Sequence, residues 1–353
     1  MRILITGICG FAGSVIAQGL LEHLSGLQIT GIDSLIRKGS ETNLEPLRAL
    51  GMDIRIGDIR YPADLEQLPS VDWVIDCAAN PSVLAGVDGS TSAEELLEHN
   101  LGGTIQLLEY CRRHGAGFLL LSTSRVYSIP PLAKLEVEVV DHALQPLAIS
   151  CPPALSQYGL TESFSTDPPI SLYGSSKRCS ELLALEYGYT FNFAVRINRC
   201  WVLAGAGQFG KADQGIFSYW IHSWAQNRSL KYIGFDGLGH QVRDCLHPRD
   251  VVPLLIKQIK DPEREVAPIF NVSGGINSAM SLPQLSGWCR ERFGDREVIP
   301  DSRSGPFDIP LMVLGSSACS HAWGWTPQTH AIQILEEIAQ HAEQNPGWLD
   351  LVA

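Results

Sequence analysis

The stretch that decides the fold is RILITGICGFAGSVIAQGLLEHL, residues 2–24. Its first part, RILIT, predicts a buried strand, and SVIAQGLLEHL has the apolar spacing of a helix. Between the two lie Gly7, Gly10 and Gly13, in the pattern G-x-x-G-x-x-G. Glycines permit a tight turn that brings backbone close to a ligand, and a helix N-terminus offers free N–H groups to an anion. The stretch therefore predicts a phosphate-binding turn between the first strand and the first helix.

Further strand patterns follow along the chain, separated by helical patterns. They are LQITGID (27–33), MDIRIGD (52–58), VDWVIDCAA (71–79), GFLLLST (117–123) and FNFAVRIN (191–198). Nearly continuous apolar strands that alternate with helices predict an α/β fold, with a Rossmann-type, doubly wound parallel sheet covered on both faces.

Asp33 ends the second predicted strand, 20 residues after Gly13. A carboxylate at this point suits the two ribose hydroxyls of NAD and repels the additional phosphate of NADP. Arg37 and Lys38 follow closely, which leaves NADP as an alternative. The predicted cofactor is NAD.

Two units are expected in a chain of 353 residues. Residues 1–198 are predicted to form the NAD-binding Rossmann domain, with 129–170 as a long, proline-rich and irregular insertion near the cleft. Residues 199–353 are predicted to form mainly a smaller α/β substrate-binding domain, from which segments around 240–260 return to the Rossmann domain.

Composition excludes several classes of function. The net charge is −12 and the pI is about 5.3, which argues against a nucleic-acid partner. The nine cysteines form no C-x-x-C pair and the ten histidines no H-E-x-x-H pattern, so free thiols in a reducing compartment and no metal site are expected. No apolar run reaches the ~18 residues of a membrane span. The chain opens directly on a strand pattern, so we expect a cytoplasmic protein.

The segment YGSSK places Tyr173 and Lys177 one helical turn apart. A neighbouring ammonium and an oxidised nicotinamide would favour the phenolate, and a pKa lowered by about three units corresponds to about 4 kcal/mol. The pattern is weak alone, but LLSTSRVYS (120–128) places Ser122, Thr123 and Ser124 where the sheet binds ligands. For the two serines, a bond to the local backbone is an equally supported alternative.

Together these motifs resemble the extended, sugar-nucleotide branch of the short-chain dehydrogenase/reductase superfamily. The resemblance runs from TGICGFAGS through GDIR (57–60), HNLGGTIQLLE (99–109), STSRVYS and YGSSK to QVRDCLHPRD (241–250) and WGWTPQT (323–329). It implies roles that we group by ligand. The residues are Gly7, Gly10, Phe11, Ala12 and Gly13 for the diphosphate of NAD; Asp33, Ser34 and Arg37 for its ribose; Asp58 and Ile59 for its adenine; Ala78, Ala79 and Asn100 along its path; Thr123, Tyr173 and Lys177 for catalysis; and Thr123, Ser124, Asn198, Gln208, Gln214 and Arg243 for a nucleotide-diphosphate sugar.

Within this branch, 4,6-dehydratases carry Asp-Glu after the threonine, because elimination of water needs an added acid and base. Ser124 and Arg125 stand there instead, which disfavours a dehydratase. The chain is most similar to the CDP-paratose 2-epimerases, through DSLIRKGSETNL (33–44), Arg125, the insertion and GHQVRDCLH (239–247). RINRCWVLAGAGQF (196–209) departs from that pattern: it is longer than expected, lacks the arginine before glutamine, and has Arg199 in place of a small polar residue.

The resemblance implies an NAD-dependent epimerase that oxidises a sugar to a ketone and returns the hydride to the opposite face. The expected position is C2 of a CDP-activated deoxysugar, in carbohydrate metabolism such as O-antigen biosynthesis. The alternatives are a UDP-sugar 4-epimerase, or a keto-reductase or dehydratase on the same scaffold. A homodimer is also implied, through a four-helix bundle of the helices at 92–114 and 173–188.

Overall fold

The computed structural model describes residues 1–87, 89, 92–211, 214–303, 305 and 307–352. Strands occur throughout these residues and are numbered in chain order. They are β1 (Arg2–Thr6), β2 (Gln28–Asp33), β3 (Asp53–Ile56), β4 (Trp73–Asp76), β5 (Gly117–Thr123), β6 (Val137–Val140), β7 (Ala143–Pro146), β8 (Leu155–Ser156), β9 (Gly159–Leu160), β10 (Val195–Cys200), β11 (Val202–Leu203), β12 (Leu230–Ile233), β13 (Val242–Leu246), β14 (Ile269–Val272), β15 (Ala279–Ser281), β16 (Val298–Asp301) and β17 (Leu311–Met312).

The α-helices are numbered in the same way. They are α1 (Phe11–His23), α2 (Leu44–Ala49), α3 (Pro62–Glu66), α4 (Ala93–Leu97), α5 (Gly103–His114), α6 (Ile129–Ala133), α7 (Ser171–Phe191), α8 (Ile216–Ala225), α9 (Pro248–Lys260), α10 (Leu282–Phe293), α11 (Ser317–Trp323), α12 (Ala331–Gln344) and α13 (Trp348–Leu351). A π-helical turn, Glu98–Gly102, joins α4 to α5. No helix among the described residues is long and apolar enough to span a bilayer.

Among the described residues, seven strands form one sheet in the order β14-β10-β5-β4-β1-β2-β3. Every neighbouring pair in this sheet is parallel. The first strand shows how the sequence supports this arrangement: Ile3 and Ile5 pack in one core with α1 and α9, and Leu4 packs in the opposite core with α5 and α7. The predicted doubly wound parallel sheet is confirmed.

A smaller mixed sheet lies outside the large one. In it β13 pairs with β11 and β17 in parallel and with β15 antiparallel. Helix α8 packs against α12, and their apolar side chains share a core with β13 and α10. The chain crosses to this part after β10 and returns to the large sheet with α9, which packs on α1, and with β14.

The sequence predicted an irregular insertion at 129–170, and this prediction is wrong. It contains α6 and two short antiparallel hairpins, β6–β7 and β8–β9. Its apolar side chains share a core with Val242 and with residues 311–314 of the smaller sheet. At the tip of the first hairpin, the carbonyl of His142 accepts a hydrogen bond from Ser281 Oγ (2.7 Å). The insertion is therefore a folded layer over the smaller sheet.

Candidate active site

The glycine turn between β1 and α1 leaves no room for side chains. Gly7 has a φ of +59°, and a Cβ there would lie 2.9 Å from the Cα of Ala78. A Cβ at Gly13 would lie 2.2 Å from the carbonyl oxygen of Gly7. Helix α1 begins at Phe11, next to Ala12, and its first turn carries no acidic residue. The free N–H groups and the dipole of this helix end therefore fit the diphosphate of a dinucleotide.

Asp33, at the end of β2, is tied to the same turn. Its carboxylate accepts hydrogen bonds from the backbone N–H groups of Cys9 and Leu35, both at 2.9 Å. Burial raises the pKa of Asp33, and these backbone donors act in the opposite direction. Each carboxylate oxygen keeps further acceptor capacity, which fits two ribose hydroxyls. Ser34 beside it is exposed, and the Arg37 guanidinium donates to the carbonyl of Phe209 (2.8 Å).

The predicted adenine side lies after β3. Asp58 is held by a bidentate pair with Arg60, with a shortest distance of 2.7 Å. Burial opposes the ionisation of Asp58, but the hydrogen bonds and charge of Arg60 outweigh it and lower the pKa. Ile59 packs against Gly103 at the start of α5, where a Cβ would approach its Cδ1 to 2.6 Å. These contacts fix the loop between β3 and α3 against α5.

Asn100 lies in the π-helical turn and is buried. Its side-chain nitrogen donates to the carbonyl of Asn80 and to Ser176 Oγ, both at 3.1 Å, and its oxygen accepts from Asn80 N–H (2.8 Å). Ser176 Oγ in turn donates to the carbonyl of Tyr173 (2.8 Å). Asn100 therefore joins the loop after β4, which carries Ala78 and Ala79, to the helix that carries Tyr173.

The three predicted catalytic residues lie on two neighbouring elements. Thr123 ends β5, and Tyr173 and Lys177 lie in the first two turns of α7, both buried. Burial raises the pKa of Tyr173, whereas a hydrogen bond with Thr123 and the positive charge of Arg125 act to lower it. Burial raises the pKa values of Asp76 and Cys200, and the charge of Lys177 acts in the opposite direction on both. The phenol therefore contacts Thr123, and the positive charge that acts to lower its pKa is that of Arg125. The expected effect of Lys177 on the phenol stays a prediction.

A cavity of about 530 Å³ lies beside these residues, between the end of β5 and the smaller sheet. Arg125, Trp201, Tyr219, Lys231 and Arg243 are among its lining residues. Burial lowers the pKa of Arg243 to about 9, and the charge of Arg125 contributes in the same direction. The cavity therefore combines aromatic surface with three cationic side chains, which suits a nucleotide bearing phosphates.

Three further residues that were predicted to bind the substrate lie in different surroundings. Ser124 is fully buried, and its hydroxyl has no hydrogen-bond partner among the described residues. Gln208 is buried next to the cavity: its amide donates to the carbonyl of Leu203, and a Cβ at the lining residue Gly215 would lie 3.0 Å from its Cδ. Gln214 pairs through its backbone with Lys211 (2.7 and 3.1 Å).

Asn198 is a correction to the predicted site. It is fully buried in β10, and its amide exchanges two hydrogen bonds of 2.9 Å with the amide of Gln258 on α9. Both polar ends of the side chain are therefore satisfied inside the core, away from the cavity. The structure supports a role in joining the sheet to α9 rather than in substrate binding.

A buried network behind the site was not foreseen from the sequence. Glu181, one turn after Lys177, accepts hydrogen bonds from Ser122 Oγ (2.6 Å) and from Arg199 Nε and Nη2 (2.9 and 2.7 Å). Arg199 also donates to Tyr127 Oη (3.2 Å). The unusual arginine at 199 was the one sequence feature that could have indicated this network. Its acidic partner, Glu181, lies in α7 eight residues after Tyr173.

Comparisons with known proteins agree with this geometry. The chain is 28% identical over 293 residues to CDP-paratose 2-epimerase of Salmonella typhi, covering 81% of this chain and 82% of the relative. It is 29% identical to dTDP-glucose 4,6-dehydratase of Streptomyces niveus, covering 99% and 94%. UDP-glucuronic acid 4-epimerase from Bacillus cereus, solved with UDP-glucuronic acid and NAD, superposes with a TM-score of 0.77 at 22% identity, covering 98% and 99%.

The family model that matches is that of the NAD dependent epimerase/dehydratase family, over residues 3–273. The match spans β1 through β14 and therefore includes the glycine turn, Asp33, the three predicted catalytic residues and Arg243. The chain is a member of the NAD dependent epimerase/dehydratase family.

Proposed function

We propose that this protein is an NAD-dependent epimerase that inverts C2 of a CDP-activated deoxysugar. The observation that carries the proposal is the set of side chains around the end of β5. Thr123 and Tyr173 supply the hydroxyls for proton transfer, while Ser124 and Arg125 stand where elimination would require an added acid and base.

In the proposed reaction, the Tyr173 phenolate accepts the proton of the sugar hydroxyl, and Thr123 holds the reacting oxygen by a hydrogen bond. NAD, held by the glycine turn and Asp33, would supply the hydride acceptor and donor that inversion through a ketone requires. Tyr173 then gives its proton back to the ketone oxygen, which becomes the hydroxyl of the inverted sugar. Arg243 binds the diphosphate during both half-reactions. The intermediate ketone therefore stays in the cavity while the sugar ring rotates to present its opposite face.

The choice of C2 and of cytidine rests on likeness to the CDP-paratose 2-epimerase of Salmonella typhi. The sequence features that resemble the pattern of these epimerases include the basic residue at Arg125 and the insertion at 129–170. A 4-epimerase of a UDP-sugar is the second candidate. It is favoured by the fold shared with the UDP-glucuronic acid 4-epimerase, because both chains align over nearly their full length.

The test is incubation of the purified protein with CDP-, UDP- and dTDP-sugars, CDP-paratose among them, without added cofactor. We expect a CDP-sugar to be converted into a product of identical mass, separable by chromatography and inverted at C2 by NMR. Inversion at C4 of a UDP-sugar would establish the second candidate instead. Loss of water from the sugar, or stoichiometric use of free NAD, would overturn both.

We also propose that the enzyme is a cytoplasmic homodimer. The interface would be a four-helix bundle to which each protomer contributes the helices at 92–114 and α7. The outer faces of these helices carry exposed apolar side chains. Leu97 is 37% exposed and Leu182 is 51% exposed. Light scattering in solution should give a mass near twice 38.6 kDa, and the mass of a single chain would contradict the dimer.

A further inference from the structure

The cavity beside the catalytic residues contains two arginines without acidic partners. Arg125 and Arg243 both line it, and among the described residues neither forms a salt bridge. The charge of a Tyr173 phenolate would act on Arg125, and the charge of Asp308 acts on both arginines. Both arginines are half-buried. Guanidinium groups that are removed from water normally have anionic partners, because the loss of hydration is costly. Two of them facing one space indicate a site for a ligand that carries more than one negative charge.

The two side chains repel each other in the free protein. Burial lowers the pKa of Arg125 to about 10, and the pKa of Arg243 falls to about 9 through its burial and the charge of Arg125. The Arg243 guanidinium donates hydrogen bonds to the carbonyls of Val242 (2.8 Å) and Ile309 (3.0 Å). These carbonyls accept two of its N–H groups but carry no negative charge to balance its positive charge. A bound diphosphate would supply the anionic partner that both arginines lack among the described residues.

Arg125 is held at the catalytic end of this cavity. Its backbone N–H donates to Thr123 Oγ1 (3.1 Å), and its carbonyl lies so close to Gly174 that a Cβ there would approach to 2.2 Å. Its guanidinium carbon lies 5.0 Å from the centre of the Trp201 ring. These three contacts fix Arg125 between the catalytic hydroxyls and the space lined by Arg243.

We propose that Arg125 is a further catalytic residue, which binds the sugar-side phosphate of the substrate together with Arg243 and stabilises the Tyr173 phenolate by its charge. This inference rests on the proposed function, since it assigns the phosphates of that substrate. The planar guanidinium suits bidentate bonds to a phosphate, and the stacking on Trp201 reduces the freedom of the side chain.

The effect on Tyr173 has a definite sign. Thr123 and Cys200 face the phenol from β5 and β10, Arg125 faces it from the turn after β5, and Lys177 lies on the same helix. The charge of Arg125 favours the phenolate and therefore lowers the pKa of Tyr173. Without that charge the pKa rises, and the acid limb of the pH–rate profile moves to higher pH.

The first experiment measures the binding of CDP, UDP and cytidine to the NAD-loaded protein by calorimetry. Arg125→Met, which keeps an unbranched stem over Trp201, should weaken the preferred nucleoside diphosphate by about tenfold or more, and leave cytidine unchanged. Arg243→Met should do the same. Arg290→Met, at an exposed arginine on α10 that pairs with Asp295, is the matched control and should bind as the parent does.

The second experiment follows phenolate absorbance against pH, as the difference between each protein and the same protein with Tyr173→Phe. Arg125→Met should move the midpoint to higher pH, and Arg125→Lys should not, because it keeps the charge. The Lys variant should nevertheless bind the diphosphate more weakly, since it lacks the fork of the guanidinium. The Lys variant therefore still tests the proposal if the Met variant fails to fold, because it should bind the diphosphate more weakly without a change in the phenolate midpoint.

The possible outcomes distinguish a failure of the proposed function from a failure of the role assigned to Arg125. If the parent protein binds no nucleoside diphosphate, the proposed function fails. If the parent binds one and Arg125→Met and Arg125→Lys bind it equally well, only the role of Arg125 fails. An unchanged phenolate midpoint in Arg125→Met, with NAD content and melting temperature as in the parent, would overturn the electrostatic half of the inference.

Discussion

At the scale of single residues, the surroundings of Tyr173 act on the pKa of its phenol in opposite directions. The phenol is buried, and burial raises its pKa, against the hydrogen bond with Thr123 and the charge of Arg125. A positively charged nicotinamide beside the phenol would act in the same direction as Arg125. Proton transfer should therefore depend on the loaded cofactor and on both neighbouring side chains.

Replacing the phenol tests this assignment directly. Tyr173→Phe removes the hydroxyl and keeps the ring that packs with Ala85 and Leu96. We expect turnover to fall by about a hundredfold to ten-thousandfold, the range for loss of a general base. Bound NAD, measured after denaturation, should remain at the level of the parent. Turnover that persists near the parent rate would remove Tyr173 from the mechanism.

Several site residues could be predicted because their type and spacing carry physical meaning. The glycines and Asp33 fall at a strand–turn–helix junction, and Tyr173 and Lys177 are one turn apart. Asn198 was misassigned, since no local pattern tells that Gln258, 60 residues later, would satisfy its amide. Arg125 was noticed in the sequence, but its proximity to Arg243 arises only when the turn after β5 and strand β13 come to line the same cavity.

At the scale of elements, the junction of β1 and α1 depends on the absence of side chains. Gly13→Ala would place a methyl group 2.2 Å from the carbonyl oxygen of Gly7, so the turn must open. We expect the purified variant to lose its NAD and to melt at a lower temperature. Gly287→Ala on α10 is the matched control, because nothing lies within 4 Å of its Cβ. It should keep NAD and gain about 0.5 kcal/mol of helix stability. Equal NAD content in the two variants would contradict this account of the turn.

Helix α7 is held in place by charge as well as by packing. Glu181 is fully buried, and its two bonds from Arg199 fix the helix against β10. Arg199→Met leaves the carboxylate without its principal partner and should destabilise the protein by about 3–5 kcal/mol, measured by urea unfolding.

The double variant Glu181→Gln with Arg199→Met distinguishes a pair from two separate effects. We expect it to cost clearly less than the sum of the single variants, because no uncompensated charge is left in the core. Arg290→Met, at the exposed ion pair with Asp295, should change the free energy of unfolding little. Additive single effects would show that Glu181 and Arg199 act independently.

The elements that escaped prediction are short and lie in the insertion. Strands β8 and β9 have two residues each, and β6 and β7 have four, so none is long enough for alternation to stand out. The prolines of this segment further suggested loop. The hairpins exist because Leu155 and Leu160 pack against the smaller sheet, which is a tertiary contact. In contrast, β1 and β5 begin and end at the residues that their patterns predicted.

At the scale of the whole molecule, the site is assembled by contacts between distant parts of the chain. The loop after β2 reaches the substrate side through Arg37, which donates to the carbonyl of Phe209. Trp348 on α13 donates to the carbonyl of Gln208 (2.9 Å) and packs on the Phe209 ring. The loop at 205–215 is therefore held both from the cofactor side and by α13, which positions the wall of the cavity against the predicted NAD site.

The return of the chain to the large sheet has a consequence for recombining this enzyme with its relatives. Strand β14 completes the sheet beside β10, and α9 covers α1, yet both follow most of the cavity wall in sequence. A hybrid spliced at one point after β10 would take these two elements from the donor and set foreign side chains against the host sheet. Swapping specificity between homologues therefore requires paired crossovers that flank α9 through β14 and leave this piece with its original partner.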